Sequence, residues 1–223
     1  RGNRFQQADR KTMSGTVTRN WIVYNRTASG ENSSFHAGVL LALGLQGHLE
    51  VLLRTDIVEY LTNGHQPTTI GLLVGLAASK IGTAEVNMSK TLCLHIPALL
   101  PPEHWDIVIT PQVQTAALTG LGLLYCESGH RLMTEFLLAE LGRRPSLDRD
   151  SGDCREAMSF SAAWALGMVL LGKGGGEVIE GVSSDVSGLG GLTDLCIEDR
   201  LQQHMDGGKR PPESHIFPGS SSS

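Results

Sequence analysis

F-H-A-G-V-L-L-A-L-G-L-Q-G, residues 35–47, is an almost entirely apolar stretch in which small residues recur at close intervals. Gly38, Ala42 and Gly44 stand at offsets of 0, 4 and 6 positions. A helix that is apolar on every side is normally buried on every side, so the stretch predicts a buried helix. Glycine costs a helix roughly 1 kcal/mol relative to alanine. Close approach of a neighbouring helix is the natural compensation for that cost.

The same frame of small residues returns three times along the chain. The copies are Gly71, Gly75 and Ala77; Ala116, Gly120 and Gly122; and, in part, Ala163 and Gly167. Their first members follow one another at spacings of 33, 45 and 47 residues, which is the range of stacked repeat units. The small residues therefore predict close packing between neighbouring helices. Leucine in place of Gly38, Gly71 or Gly120 is expected to cost about 1–3 kcal/mol through overpacking.

Each small-residue helix is followed by a helix with one apolar face. In the first of these partners, residues 49–61, leucine, isoleucine and tyrosine recur at helical spacing with charged residues opposite. Similar partners are predicted around residues 88–96, 133–141 and 197–205. The alternation predicts an all-α fold, a segment of an alpha-alpha repeat solenoid or toroid, with about four helix pairs in residues 34–206.

The two ends of the chain differ from the repeat region in composition. Residues 1–33 are polar and basic and predict a flexible N-terminal arm, with one short strand near residues 21–24, W-I-V-Y. A solvated arm is favoured over a contact with an acidic partner surface. Residues 207–223 are rich in proline, glycine and serine and predict a disordered tail.

The composition argues against several classes of function. A net charge of −5 does not suit the clustered basic face that nucleic-acid binding needs. The longest apolar runs fall short of the roughly 20 residues that a membrane-spanning helix needs. We therefore expect no nucleic-acid partner, no membrane span and no small-molecule substrate.

Cysteine and histidine pairs suggest a metal site but do not have its spacing. A structural zinc site needs a second pair of ligands, and no such pair accompanies Cys93 with His95 or Cys126 with His130. Packing is favoured, and we predict no metal and no cofactor. Three Gly-His pairs, at residues 47–48, 64–65 and 129–130, are interpreted as helix ends at which the histidine meets terminal carbonyls.

Two loop motifs also have ordinary explanations. Lys173 lies in G-K-G-G-G, which lacks the spacing and the Ser or Thr of a phosphate-binding loop, so a flexible loop is favoured. Ser146 follows R-R-P and would suit a basic-directed kinase, but a plain solvated loop is favoured.

An enzyme of the helical-toroid type is an alternative, since alpha-alpha barrels also host glycosidases with paired carboxylates. The acidic residues weighed for that role are Glu50, Asp56, Glu59, Glu135 and Glu140. All five are predicted on the outer, amphipathic helices, whereas the small-residue helices are predicted to carry no carboxylate that could line a cavity. This distribution favours a non-enzymatic scaffold, and we predict no catalytic residue.

Several separated phrases of the sequence resemble one family. They are H-A-G-V-L-L-A-L-G-L-Q-G-H-L at 36–49, Y-L-T-N-G-H at 60–65, T-I-G-L-L-V-G at 69–75 and H-I-P-A-L-L-P-P at 95–102. In this order they closely resemble the proteasome/cyclosome repeats of the anaphase-promoting complex subunit 1 family. The resemblance covers about residues 21–208, and the residues from Pro211 to Ser223 do not look like family sequence.

The resemblance implies a helical toroid that serves as a non-enzymatic scaffold. In the family this scaffold holds the platform and the cullin-and-RING module of a ubiquitin ligase that controls mitotic progression and exit. The implied partners are other subunits of the anaphase-promoting complex, in the nucleus and cytoplasm. The family's toroid has more than four repeats, so the chain is expected to be a fragment or truncated form. The alternative is a large non-ATPase subunit of the proteasome regulatory particle, which shares the repeat frame but not the phrases.

The two ends of the predicted stack lack the polar outer faces that terminal repeats normally have. The first unit opens with the apolar helix at 35–45, and the last partner helix places Ile197, Leu201 and Met205 directly before the tail. We therefore expect the isolated chain to expose more apolar surface than the few hundred Å² usual for a monomer. Such a chain should self-associate or be stable only beside a partner.

Overall fold

The computed structural model describes residues 17–28, 34–101, 109–143, 152–173 and 192–206. In these residues the chain is helical and contains no strand, which confirms the predicted all-α class. The helices are α1 (Arg19–Ala28), α2 (Ser34–Leu45), α3 (Arg54–Thr62), α4 (Gln66–Ser79), α5 (Val86–Cys93), α6 (Pro111–Leu124), α7 (Arg131–Gly142), α8 (Gly152–Val169) and α9 (Ile197–Met205). Within the same residues, no helix is both long and apolar enough to cross a membrane.

Helices α2, α4, α6 and α8 form a row in which each packs along the next, and we call them the inner helices. The remaining helices after α2 are the outer helices, namely α3, α5, α7 and α9. Helix α3 contacts α4, α5 contacts both α4 and α6, and α7 packs along α8. One hydrophobic core follows the row from Ile22 in α1 to Ile197 in α9.

Burial differs between the middle and the ends of the row. Helices α4 and α6 have an inner helix on each side and are buried around most of their surface. Helix α2 leaves Gly38 and Ala42 exposed, and helix α8 leaves Phe160 and Trp164 exposed. The prediction that the first small-residue helix is buried on every side is therefore wrong, and α8 is likewise exposed along part of its surface. Each has a described inner neighbour on one side alone, so its opposite side stays in contact with solvent.

Residues 19–28 form a helix, whereas the sequence predicts a short strand near residues 21–24. Ile22 is fully buried in the core, and Arg19 and Arg26 stand two helical turns apart on the side that faces α3. Arg19 pairs with Asp56, and Arg26 pairs with Glu59. The β-branched and aromatic residues of W-I-V-Y favour a strand locally, but these contacts at helical spacing decide the conformation.

The loops after α4 and α6 follow the same backbone path. In each loop two backbone N–H groups donate to carbonyls near the C-terminus of the next inner helix. These bonds are Gly82 to Leu123 (3.0 Å) and Ala84 to Leu124 (3.0 Å), then Glu127 to Met168 (2.9 Å) and Gly129 to Val169 (2.9 Å). Every member of the second set lies 45 residues after its counterpart in the first. The hydrogen bonds therefore fix a repeat of 45 residues for these units.

All four donors of these bonds have left-handed backbone conformations, including the non-glycine residues Ala84 and Glu127, with φ of 50° and 58°. Such a conformation is uncommon for a residue with a side chain. The left-handed conformation is stabilised here because each backbone N–H donates a hydrogen bond to a carbonyl of the next unit.

Other predicted features shift or lie outside the described residues. Pro67 lies in the first turn of α4. Helix α8 begins at Gly152, about three turns before Ala163 and Gly167, the residues that predict it. Residues 1–16 and 29–33 of the arm, Ser146, the glycines after Lys173 and the tail at 207–223 lie outside the described residues.

The ion pair between α1 and α3 predicts a pH dependence of stability. Arg19 donates from Nε to Asp56 Oδ2 (2.6 Å) and from Nη2 to Oδ1 (2.5 Å). These bonds hold the pKa of the Asp56 carboxyl below its ordinary value of 3.8. A carboxyl whose pKa is depressed in the folded state stabilises it above the ordinary pKa, and this contribution is lost as pH falls through the folded pKa.

We expect Asp56→Asn to lower the free energy of unfolding near pH 7 and to have a smaller effect near pH 3. Asparagine can keep the bond from the backbone N–H of Leu53 (2.9 Å), so the variant isolates the charge. Urea denaturation at both pH values measures the difference. The matched control is Glu59→Gln, whose carboxylate is far more exposed and should show less pH dependence. An equal effect of Asp56→Asn at both pH values would contradict this account.

Candidate functional site

The sequence predicts no catalytic residue and singles out small residues on the inner helices as the structural site. Between α2 and α4 the two backbones are in direct contact. A Cβ atom added at Gly44 would collide with the backbone of Gly75, and one added at Gly71 would collide with the carbonyl oxygen of Ala37. A Cβ atom at Gly75 would lie 2.9 Å from the carbonyl oxygen of Leu40. No side chain larger than hydrogen fits these places without moving a helix.

The next two contacts have the same character. A Cβ atom at Gly120 of α6 would lie 3.3 Å from Ala77 Cβ of α4 and 2.7 Å from Leu92 Cδ2 of α5. A Cβ atom at Gly122 would lie 2.5 Å from the Cα atom of Ala165 in α8. The Gly120 contact involves a flexible side chain, whereas the Gly122 contact involves backbone and has less room to adjust.

These contacts follow one rule along the row. The residue at offset 6 of one inner helix, which we call the leading residue, meets the residue at offset 4 of the next, which we call the trailing residue. The three pairs are Gly44 with Gly75, Ala77 with Gly120, and Gly122 with Ala165. The same geometry is thus built three times from glycine and alanine alone.

The rule corrects the predicted frame of the fourth helix. The sequence predicts Ala163 and Gly167 as offsets 0 and 4, at a spacing of 47 residues. The hydrogen bonds between units give a spacing of 45, which makes Ser161, Ala165 and Gly167 the residues at offsets 0, 4 and 6. Ala163 is exposed and faces away from α6. Because small residues crowd this part of α8, composition alone does not determine the register.

Gly38 and Gly167 also depart from the prediction of close packing. Among the described residues, and apart from the adjoining backbone of its own helix, no atom lies within 4 Å of the place that a Cβ atom would take at either position. Ala42, the trailing residue of α2, is exposed as well. By contrast, Ala77 and Ala116 are buried between helices. The outward positions all belong to α2 and α8, the two end helices of the described row.

Most of the acidic residues weighed for catalysis take part in ion pairs. The pairs are Asp56 with Arg19, Glu59 with Arg26, Glu135 with Arg131, and Glu140 with Arg155 and Arg143. Because α8 begins at residue 152, it also includes the acidic residues Asp153 and Glu156. Glu156 is exposed.

The pair between Glu140 and Arg155 is the most deeply buried, since both side chains are almost fully covered. Arg155 Nη1 donates to Glu140 Oε1 (2.7 Å), and its Nε donates to the carbonyl oxygen of Arg143 (3.1 Å). Arg155 also donates to the carbonyl oxygen of Glu140. The guanidinium therefore satisfies carbonyls at the C-terminus of α7 and ties that end to α8.

A buried pair of polar side chains in the first unit escaped the sequence analysis. His36 Nε2 lies 3.0 Å from the hydroxyl oxygen of Tyr60, and the two rings stack with centroids 5.7 Å apart. Burial lowers the pKa of His36 and raises the pKa of Tyr60, so both side chains favour their neutral forms. The sequence signal for this pair was a histidine inside an otherwise apolar stretch. The pair joins α2 to α3.

The other histidines lie mainly at helix starts. The sequence predicts that His65 and His130 contact terminal carbonyls at the ends of helices. In the structure they instead occupy the N-cap positions of α4 and α7. The Nδ1 atom of His130 accepts a hydrogen bond from the backbone N–H of Met133 (3.4 Å). His95 does bond a carbonyl, that of Thr91 (2.8 Å). Burial raises the pKa of the Cys93 thiol nearby. In the part of the chain that the structure describes, no group of three or more metal-ligating side chains is placed to hold an ion.

Two models of protein families match the chain. One is described as the APC1 fourth domain and matches residues 7–81, and the other as the APC1 fifth domain and matches residues 86–221. The matches extend beyond residues 21–208, the range expected from the sequence. They also include most of the segment from Pro211 onward, which was not expected to resemble the family. That expectation was wrong, because a segment rich in proline, glycine and serine gives little pattern to recognise.

Several curated proteins are similar to the chain. Anaphase-promoting complex subunit 1 of Homo sapiens is 44% identical over 190 residues, which cover 85% of this chain and 9% of the relative. The negative regulator of mitosis of Emericella nidulans is 35% identical over 207 residues, 90% of this chain and 9% of the relative. Anaphase-promoting complex subunit 1 of Schizosaccharomyces pombe is 36% identical over 190 residues, 85% of this chain and 12% of the relative. The chain thus spans about a tenth of the length of these relatives.

The contacts of α2 predict opposite effects of alanine at two glycines of one helix. Gly44→Ala places a Cβ atom against the backbone of Gly75 and should lower the free energy of unfolding by about 1–3 kcal/mol. Gly38→Ala meets no described atom and should raise it by up to about 1 kcal/mol, because alanine is the better helix former. Urea denaturation followed by circular dichroism compares the two. Equal stability of the variants would show that the Gly44 contact is not tight.

Proposed function

This chain belongs to the anaphase-promoting complex subunit 1 family, since a single family model matches more than half of its residues, and we propose that it forms part of the scaffold of an anaphase-promoting complex. The proposed role is non-enzymatic. The segment would hold neighbouring subunits in place within a cullin-and-RING ubiquitin ligase that controls mitotic progression and exit. We further propose that it acts in the nucleus and cytoplasm.

The observation that carries this proposal is the family match, with 44% identity to the human relative over 85% of the chain. The structure adds physical support. Backbone contacts between inner helices leave little freedom for one unit to move against the next, which suits a part that positions other proteins. Four of the five acidic residues weighed for catalysis form ion pairs with arginines.

Two alternatives were considered from the sequence. A large non-ATPase proteasome subunit would share the repeat frame, but the relatives described above are named for the anaphase-promoting complex or for mitosis. An alpha-alpha toroid enzyme would need carboxylates that converge on a cavity. The buried carboxylates Asp56 and Glu140 instead neutralise arginines in helix contacts. Neither alternative has an observation in its favour.

The proposal predicts that this segment can replace its counterpart in a relative. In human cells depleted of their own subunit 1, we expect a chimaera carrying the matching 190 residues of this chain to co-purify with the other subunits of the complex and to allow exit from mitosis. A chimaera with an unrelated helical repeat of equal length is the matched control and should do neither. Adding Gly122→Leu, which places a large side chain against the backbone of Ala165, should reduce recovery of the complex.

Affinity purification with quantitative mass spectrometry measures the outcome. Recovery of the chimaera with proteasome ATPase subunits and without a cullin would overturn the proposal. So would a stable chimaera that binds no subunit of the complex.

A further inference from the structure

Tyr60 of α3 joins the helices α1, α2 and α3 at one buried place. Its hydroxyl oxygen lies 3.0 Å from Nε2 of His36 in α2, and the two rings stack. The guanidinium carbon of Arg26 in α1 lies 5.1 Å from the centroid of the same tyrosine ring. His36 and Tyr60 are 4% and 1% exposed. The imidazole of His36 is therefore removed from water at the point where three helices meet.

Helices α1 and α3 are attached to the row of inner helices less extensively than the inner helices are attached to one another. Helix α1 is joined to α3 by the ion pairs of Arg19 with Asp56 and of Arg26 with Glu59. Helix α3 contacts α4 over a shorter stretch than α2 does, and α2 also meets α4 backbone to backbone. Separation of α1 and α3 from α2 therefore leaves the contacts of the row in place. Such local opening costs less free energy than unfolding of the whole chain.

The charges around His36 offer no carboxylate to a protonated imidazole. The charged residues of the two neighbouring helices are Arg19 and Arg26 on α1 and Arg54, Asp56 and Glu59 on α3. Helix α2 has no charged residue, and α4 has none between its N-cap His65 and Lys80 at its C-terminal end. Asp56 accepts hydrogen bonds from Arg19, and Glu59 accepts one from Arg26. In the part of the chain that the structure describes, both carboxylates near Tyr60 are thus already neutralised by arginines. A buried charge without a partner destabilises the folded state.

We propose that the contact of His36 with Tyr60 is a pH-sensitive switch, which holds α1 and α3 against α2 while His36 is neutral and releases them when the imidazole takes up a proton from solvent. Protonation creates a second positive charge near that of Arg26 in a site removed from water. Release of α1 and α3 returns the imidazolium to water. The backbone contacts between α2 and α4 involve no titratable group, so the inner helices stay packed.

The direction of the pH effect follows from which state binds the proton more readily. Burial, and to a smaller extent the charge of Arg26, lower the pKa of His36 below its ordinary value of 6.5. In the released state His36 is in water and regains about that ordinary pKa. The closed state is therefore most stable above about pH 6.5 and loses stability as pH falls from there to the lower pKa of the buried ring. At about pH 5.5 the pair of Asp56 with Arg19 is still formed, because the pKa of Asp56 lies below 3.8.

Hydrogen exchange measured by mass spectrometry on the whole chain tests the switch. Exchange is compared at about pH 7.5 and about pH 5.5, with correction for the intrinsic dependence of amide exchange on pH. At the lower pH the protection of amides in α1 and α3 should fall severalfold, with about tenfold as the limit for a single proton over this range. Protection in α4 and α6 should change by less than about twofold.

Two substitutions of His36 separate its proton from its packing. His36→Gln can keep a hydrogen bond to the Tyr60 hydroxyl, and His36→Phe keeps a ring against the Tyr60 ring, but neither side chain takes up a proton. Circular dichroism checks that each variant is folded, and α1 and α3 should then be equally protected at both pH values. The matched control is His48→Gln, which removes a half-buried histidine shortly after α2 and should keep the pH dependence of the unaltered chain.

Three results would overturn the proposal. Protection of α1 and α3 that is independent of pH in the unaltered chain would show that His36 does not control their contact with α2. An equal loss of protection in α4 and α6 would show unfolding of the whole chain in place of local release. A pH dependence that persists in a folded variant of His36, or that disappears in His48→Gln, would assign the effect to another group.

Discussion

The structure depends on the direct approach of neighbouring inner-helix backbones. At Gly44 and Gly122 the next helix comes so close that its backbone occupies the space of a missing Cβ atom. A larger residue at one such position would separate two helices along their whole length of packing, because packed helices move as rigid bodies. Dispersion attraction would then weaken well beyond the substituted residue. Glycine, which weakens an isolated helix, is therefore stabilising where it lets two helices meet.

The loops between units fix how neighbouring inner helices are placed relative to one another. The backbone bonds from Gly82, Ala84, Glu127 and Gly129 reach the ends of the next inner helices and set their position along the row. The ion pair of Arg155 with Glu140 has a related effect, because it holds the C-terminal end of α7 against α8. Side-chain charge in this fold thus joins outer helices to their neighbours, and backbone contact joins the inner ones.

Much of the fold followed from the sequence because the small-residue frame and the amphipathic partners are strong local signals. Helix α6, with Pro111 in its first turn, contains the predicted small residues Ala116, Gly120 and Gly122. The conformation of α1 did not follow, since it is decided by Ile22 and two arginines that meet α3 across the chain. The register of α8 did not follow either, because Ala162, Ala163 and Ala165 offer several frames of similar appearance. The conformation of α1 and the register of α8 are determined by contacts between residues distant in sequence, and local composition does not reveal such contacts.

The fixed spacing within the units has a consequence for how such a chain can change its length. From Gly71 to Ala84 the unit is locked at both ends, by backbone contact with α2 and by hydrogen bonds to α6. The equivalent positions of the first two units are 33 residues apart, and those of the second and third are 45 apart. The difference falls between this locked part and the next inner helix, on the side of the outer helices. Insertions and deletions are therefore absorbed along that outer edge, whereas one residue added between Gly71 and Ala77 would rotate the small residues of α4 out of line with one another, so that they could no longer all meet the neighbouring helices.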